Sequence, residues 1–201
     1  MRTVAPPPNL QRRRAIADGA IAVLAAVGVH GFSHRAVDEA AGLPTGTSAN
    51  YFPSRDALLS AAAERVLELH RADMEAANGA VAGPIDRDGL IGLIALSLEA
   101  SATVHRDRYL AVYELTLDAT RRPSLQATFD AMKEEATDFT LRQHRALGLD
   151  TSREDVAVLI TLFGGALYTL VTGQAGAVTS ATAYALARQM VAGLDEAVDP
   201  D

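Results

Sequence analysis

"FSHRAVDEAAGLPTGTSANYFPSRDALL", residues 32–59, sets two short helical stretches around a turn in a chain otherwise crowded with Ala, Leu and Val. Ser33 is placed as an N-cap, with Val37, Ala40 and Ala41 at inward spacing behind it. Gly42 stops that helix, and Leu43 is the apolar residue of the turn. A third helix is expected over about residues 45–51, ended by Pro53, with Ser54 capping a fourth and Asp56 in its first turn. Two short helices joined by a turn with Gly are the sequence form of a helix-turn-helix. Helices this short are unstable alone, so a preceding helix has to clamp them. The stretch from Asn9 supplies it, with Ile16, Ala20, Val23, Leu24 and Val27 at helical spacing up to Gly28 and Gly31. The expected three-helix core is Ile16, Ala20, Val23, Val37, Ala40, Leu43 and Phe52.

The outer face of the third helix carries Thr45, Gly46, Thr47, Asn50 and Tyr51, a set of hydroxyls, an amide and a phenol. Gly46 lets a backbone come close, Asn bonds bidentately to adenine, and a Thr methyl packs against thymine. Ser33, His34 and Arg35 open the second helix and Arg55 opens the fourth, where helix-start amides suit phosphate oxygens. The same residue pattern also covers solvated faces in all-α proteins that never meet DNA.

Charge is divided along the chain. The net charge is −7, yet residues 1–56 hold six arginines against four acids, while the remainder holds 12 basic and 21 acidic side chains. A basic head on an acidic body approaches phosphates with one end only. Hydrophobic residues make up 49%, which excludes disorder of the whole chain. Cysteine is absent, so disulfides, thiolate metal sites and Cys nucleophiles are excluded together, and a reducing cytoplasm fits. "MRTVAPPPNLQRRR" has no apolar stretch beside its charges and does not read as a secretory signal; Pro6, Pro7 and Pro8 point to a mobile arm.

Over residues 12–59 the sequence resembles the tetracycline-repressor (TetR) family of bacterial transcription regulators. The resemblance lies in the Ala-Gly turn, the Gly-Thr pair, the Tyr-Phe ending and the Pro-Ser-Arg that leads into the fourth helix. It implies an N-terminal three-helix DNA-binding domain, residues 1–55, and a C-terminal helical bundle, residues 56–201, that binds a small ligand and dimerises. The implied DNA contacts are Arg35, Thr45, Gly46, Thr47, Asn50, Tyr51 and Arg55, with Ser33 and His34 at the DNA-facing end of the second helix. The sequence departs from the family at three places. Pro44 stands where a capping Ser is common, so the cap shifts to Thr45 or is absent; Ala49 replaces a phosphate-touching aromatic, and Ser48 occupies a usually apolar site.

Beyond the fourth helix, helical segments are expected at roughly 87–104, 107–119, 124–147, 153–173 and 180–197, separated by "GAVAGP" (79–84), "RRP" (121–123), Gly148 and "GQAGAVTS" (173–180). No stretch alternates as a strand does, so the chain reads as all-α with about nine helices. Residues 156–187 contain no charged side chain. The solidly apolar run from Val156 to Val171 falls short of the ~20 residues of a bilayer span and includes Thr161, Gly164, Gly165 and Thr169, so no membrane is expected. A helix buried on nearly all sides is expected instead, with the helices near 153–173 and 180–197 forming a homodimer interface. A monomer burying both internally is the alternative.

Polar or aromatic residues among apolar helix positions mark a ligand pocket: His70, His105, Tyr109, Tyr113, Phe139, His144 and Tyr168. Each also fits ordinary packing. His30 and His34 are four apart, but Gly31 and Ser33 break the helix between them, so no metal site is expected and no cofactor is implied. No Gly-rich phosphate loop follows a strand and no HExxH occurs. Together with these absences, the resemblance implies a non-enzymatic, ligand-responsive repressor that binds a palindromic double-stranded DNA operator as a homodimer, with an unknown small-molecule effector. A helical small-molecule-binding protein, or an unusual helical enzyme without DNA binding, is the alternative.

Overall fold

The computed structural model describes residues 8–79, 83–173 and 178–194. The amino-terminal arm at Pro6 and Pro7, parts of the 79–84 and 173–180 connections, and the end of the 180–197 segment lie outside the described residues. Among the described residues there are nine helices and no strand: α1 Pro8–Gly31, α2 His34–Ala40, α3 Thr47–Tyr51, α4 Arg55–Gly79, α5 Arg87–Ala102, α6 Arg106–Ala119, α7 Pro123–Ala146, α8 Arg153–Thr172 and α9 Ser180–Ala192. The all-α expectation is met, and helix limits differ from the expected ones by a few residues, as is usual at frayed ends.

The chain folds into two compact units. Described residues up to Glu68, together with Leu110–Asp130, form the first; Leu69–Tyr109 and the described residues from Ala131 onward form the second. This division runs within α4, α6 and α7.

In the first unit, α1 packs on α2 and α2 on α3. Ile16, Ala20, Val23, Leu24, Val37 and Phe52 are buried there with Leu58, Leu59, Ala62 and Val66 of α4. Two expected core residues are not: Ala40 is exposed and Leu43 only half-buried. The buried stripe of α2 runs through Val37 and Asp38 to half-buried Ala41, and helical geometry puts Ala40 off that side. Val27 is also 57% exposed. α1 breaks just after it at Gly28, whose φ of 66° is a left-handed conformation favouring glycine. Past the break, Val29 and Phe32 turn inward instead. The freed Val29 N–H donates to Glu114 Oε2 of α6 at 3.1 Å.

In the second unit, α5 packs most extensively on α9 and both touch α8. Leu90, Ile91, Ile94, Ala95 and Leu98 recur along one stripe of α5 and meet Ala183, Ala187, Met190 and Val191, the buried side of α9. Asp86 caps α5 by accepting from Gly89 N at 2.9 Å, and Arg87 Nη2 donates to Val191 O at 2.9 Å. α8 is not buried on nearly all sides within one chain. Val156, Leu159, Leu167, Leu170 and Val171 are buried, whereas Val158, Leu162 and Tyr168 are exposed. By length and composition, α8 and Asn9–Gly31 of α1 are apolar enough to cross a membrane. In α1 that apolarity is used in the core just described.

His144, buried on α7, shares a 2.8 Å hydrogen bond between Nδ1 and Thr151 Oγ1, and burial pushes its pKa down to about 4. His70 is pushed to about 4 as well, first by burial, with Arg108 and His105 acting in the same direction against Asp73. A folded pKa below the unfolded value of 6.5 means that the unfolded chain takes up the proton first. Stability from these two groups is therefore complete above pH 6.5 and falls as pH drops toward 4. Thermal melts should show this loss between pH 7 and pH 4, up to about 3 kcal/mol per histidine. Replacing both His70 and His144 by Gln should flatten the slope.

Candidate nucleic-acid interface

The site is built on the connection from α1 to α4 within the first unit. Ser33, in extended conformation, caps α2 by accepting from Ala36 N at 3.2 Å. Past α2, the Leu43 N–H donates to Asp38 O at 2.8 Å and closes the turn. Thr45 and Gly46 precede α3 rather than belonging to it. Gly46 is the N-cap with φ 91°, and α3 starts at Thr47. The cap of α3 is neither Thr45 nor absent. It comes from Asp38 on α2, whose Oδ2 accepts from Gly46 N and Oδ1 from Ser48 N, each at 2.7 Å.

Asp38 is only 2% exposed. Burial by itself would raise its pKa, but the Ser48 amide and hydroxyl, the Gly46 amide and nearby His34 outweigh that and hold the carboxyl below its ordinary value. Ser48 is 0% exposed, and its hydroxyl donates to His34 O at 3.2 Å. This explains a hydroxyl at a usually apolar site. His34 Nε2 lies 2.8 Å from Phe52 O; a carbonyl only accepts, so Nε2 carries the proton. Buried Phe52 lies under the Arg13 guanidinium, 4.4 Å from the ring centroid, and Arg13 Nη1 donates to Tyr51 O at 3.2 Å. The inner side of α3 is thus tied at both ends.

The residues expected to meet DNA divide into two groups. Ser33, Arg35, Thr45, Gly46 and Asn50 are exposed, and Thr47 and Tyr51 are half-exposed on the same short segment. Thr47 Oγ1 donates to Pro44 O at 2.6 Å, which leaves its oxygen able to accept. His34 and Arg55 are half-buried and make internal bonds. Arg55 donates to Val29 O and, at 3.4 Å, to Phe32 O, with its guanidinium 5.8 Å from the Phe32 ring centroid. It thereby closes the open C-terminal carbonyls of α1. Sequence reading missed Asp38, Ser48 and Arg13. The readable signal was Pro44, which offers no capping side chain and so requires an acceptor from elsewhere.

Of the seven residues picked for a ligand pocket, three come together in the second unit. Tyr109 OH lies 2.7 Å from His70 Nδ1, and His105 and Arg108 both face Asp73, at 3.5 and 2.6 Å. The Tyr109 pKa is raised, chiefly by burial. His70 also meets Phe163 of α8, with ring centroids 6.4 Å apart. Phe139 and His144 are buried on α7, Tyr168 is exposed on α8, and Tyr113 belongs to the first unit. A shallow open groove of about 260 Å³ is lined by Lys133, Glu154, Ala157, Val158, Thr161 and Leu162, none of them in the expected set.

A two-helix element with an exposed second helix, clamped by α1 and followed by a larger helical part, defines a helix-turn-helix protein. A family model described as "Tetracyclin repressor-like, C-terminal domain" matches residues 85–196. The chain therefore belongs to the tetracycline-repressor family of transcriptional regulators. Among solved structures, a TetR-family member from Streptomyces coelicolor A3 is 27% identical, with a TM-score of 0.67 over 92% of this chain and 98% of that one. The multidrug binding protein EbrR, complexed with imidazole, is 27% identical with a TM-score of 0.65 over 92% and 96%. A transcriptional regulator from Rhodococcus sp. Rha1 shares the fold at 16% identity, with a TM-score of 0.72 over 94% and 98%. No curated protein matched.

The internal and exposed groups should separate in stability measurements. Arg55→Ala takes the guanidinium from Phe32 O and leaves Val29 O only its bond from Phe32 N, and should cost about 1–3 kcal/mol in urea unfolding. Arg55→Lys should recover little of that, lacking the fork and the stacking plane. Arg35→Ala and Asn50→Ala should stay within about 0.5 kcal/mol of the parent.

Proposed function

We propose that this protein is a ligand-responsive repressor that binds a palindromic operator as a homodimer, with residues 1–55 as its DNA-binding domain and residues 56–201 as its effector and dimerisation domain. The observation that carries the reading is the two-sided character of residues 45–51. Their inner side is bonded to α2 and α1, and their outer side presents Thr45, Gly46, Thr47, Asn50 and Tyr51. Asn50 and the threonines are suited to base edges, and Ser33, Arg35 and Arg55 to phosphates. His34 would act at the same end through its bond to Phe52 O. On this reading the protein acts in the cytoplasm as a regulator rather than as a catalyst.

One helix of five residues reads few bases, so dimerisation makes the binding specific. The exposed apolar side chains Val158, Leu162 and Tyr168 of α8 and Tyr184 of α9 supply the surface for it, in the region where residues 156–187 carry no charge. Two copies would place their α3 helices in successive major grooves, about 34–36 Å apart. The effector is a small molecule held by the His70, His105 and Tyr109 group, in keeping with EbrR, a multidrug binding protein seen with imidazole and with ethidium. It switches DNA binding only by its different affinity for the bound and released states.

Selection from random duplexes with purified protein should return a palindrome whose binding weakens steeply with salt. Asn50→Ala and Thr47→Ala should each reduce operator affinity roughly 5- to 100-fold and relax one position of each half-site. A protein that enriches no sequence, yet still binds small aromatic cations, would instead be a ligand-binding module. Leu162→Glu should convert the dimer to monomer in sedimentation runs and lower operator affinity with it; a monomeric parent would refute the dimer.

A further inference from the structure

Every helix start leaves amides without intrahelical partners. α2, α5, α8 and α9 each close theirs with the residue just before them: Ser33 to Ala36 N, Asp86 to Gly89 N, Ser152 to Asp155 N and Thr179 to Thr182 N. Ser54 does the same for α4 through Ala57 N. In all five the acceptor lies three residues ahead of the amide. α3 does not follow this pattern: Gly46 has no side chain, Pro44 meets Thr47 N only through its carbonyl, at 3.1 Å, and Ser48 N goes to Asp38 rather than to Thr45, three residues before it. Five residues are also too few to hold a helix unaided.

We infer that Asp38 is the positioning residue of the recognition helix, a cap supplied from α2 that sets the direction in which residues 45–51 face DNA. The inference rests on the proposed DNA reading. Asp38 ties the segment at three points, with its backbone carbonyl on Leu43 N and its two carboxylate oxygens on Gly46 N and Ser48 N. The Ser48 hydroxyl returns to His34 O and closes the loop. Two amides thus approach one carboxylate, one on each oxygen, and Asn cannot replace it. Asparagine has one acceptor oxygen, so its NH₂ would face one of the two N–H groups donor to donor. Charge argues in the opposite direction from geometry. Removing a negative charge near phosphates would by Coulomb attraction alone tighten DNA binding. Weaker binding therefore reports position rather than charge.

The test compares the full-length parent, Asp38→Asn, and Leu98→Ala, a core variant of the second unit that lowers stability without touching Asp38. It reads affinity for the selected operator and for an unrelated duplex, the thermal melt, and hydrogen exchange at the Gly46 and Ser48 amides. Asp38→Asn should lose operator affinity roughly tenfold or more, keep or slightly gain affinity for the unrelated duplex, and exchange those two amides faster. Leu98→Ala should melt below the parent and keep operator affinity at temperatures where it is folded. Should Asp38→Asn melt far below the parent, Leu98→Ala decides: operator affinity lost by Asp38→Asn alone, read where both variants are folded, supports the positioning role, and equal loss by both overturns it. Operator binding by Asp38→Asn at or above the parent level overturns the positioning role while the DNA reading stands. Unchanged exchange at Gly46 and Ser48 overturns the cap itself, whatever the DNA result. A parent protein that selects no DNA sequence removes the DNA reading and this role together, while the exchange data still judge the cap.

Discussion

A buried carboxylate shared by two backbone amides is the interaction on which the arrangement of α2 and α3 depends. Asp38 is withdrawn from water, a state that strongly disfavours an unpaired charge. It stays ionised because both oxygens are occupied by N–H donors, and its pKa lies below rather than above the ordinary value. The amides gain as much as the carboxylate does. Left alone in a turn closed by a proline, Gly46 and Ser48 would hold unpaired donors, each costing about 1–3 kcal/mol. The arrangement is therefore mutual: α2 cannot bury its acid without α3, and α3 has no start without the acid.

From that bond the remaining order of the segment follows. With the N-terminus of α3 fixed on α2, Ser48 reaches His34 O, His34 reaches Phe52 O, and Arg13 covers the Phe52 ring from α1. Arg55 then joins the close of α1 to the opening of α4. What faces outward is the small polar set of residues 45–51, beside the basic part of a chain that is acidic elsewhere. In the second unit, α8 exposes Val158, Leu162 and Tyr168 alongside threonines.

Much of the fold was legible in residue types. Ser33 and Ser54 announced the starts of α2 and α4, Pro53 the stop before α4, and the spacing of Ile16, Ala20, Val23 and Leu24 the buried side of α1. These signals are local, each acting within a turn of its own position. Failures came where the deciding contact was distant or the helix phase changed. The α3 start was placed at Thr45 because its acceptor sits on a different helix, ten residues before Ser48. Val27 shares the apolar spacing of α1 yet lies exposed, because nothing in the composition shows that Gly28 takes a left-handed turn. α8 was expected to be enclosed because a charge-free run does not tell which stripe faces its own chain and which stays open. His70 and Tyr109 bond each other and His105 faces Asp73 beside them, a grouping that periodicity along one helix does not show because it carries no information about neighbouring helices.

The central claim is that the outer side of residues 45–51 touches base edges. The most direct measurement places a photo-crosslinking side chain at position 50, irradiates the protein on its selected duplex, and maps the attached nucleotides. The account predicts two symmetry-related bases, one in each half-site, separated by about one helical turn. Crosslinks scattered along the duplex, or none at position 50 while a crosslinker elsewhere on the chain reacts at a fixed base, would contradict it.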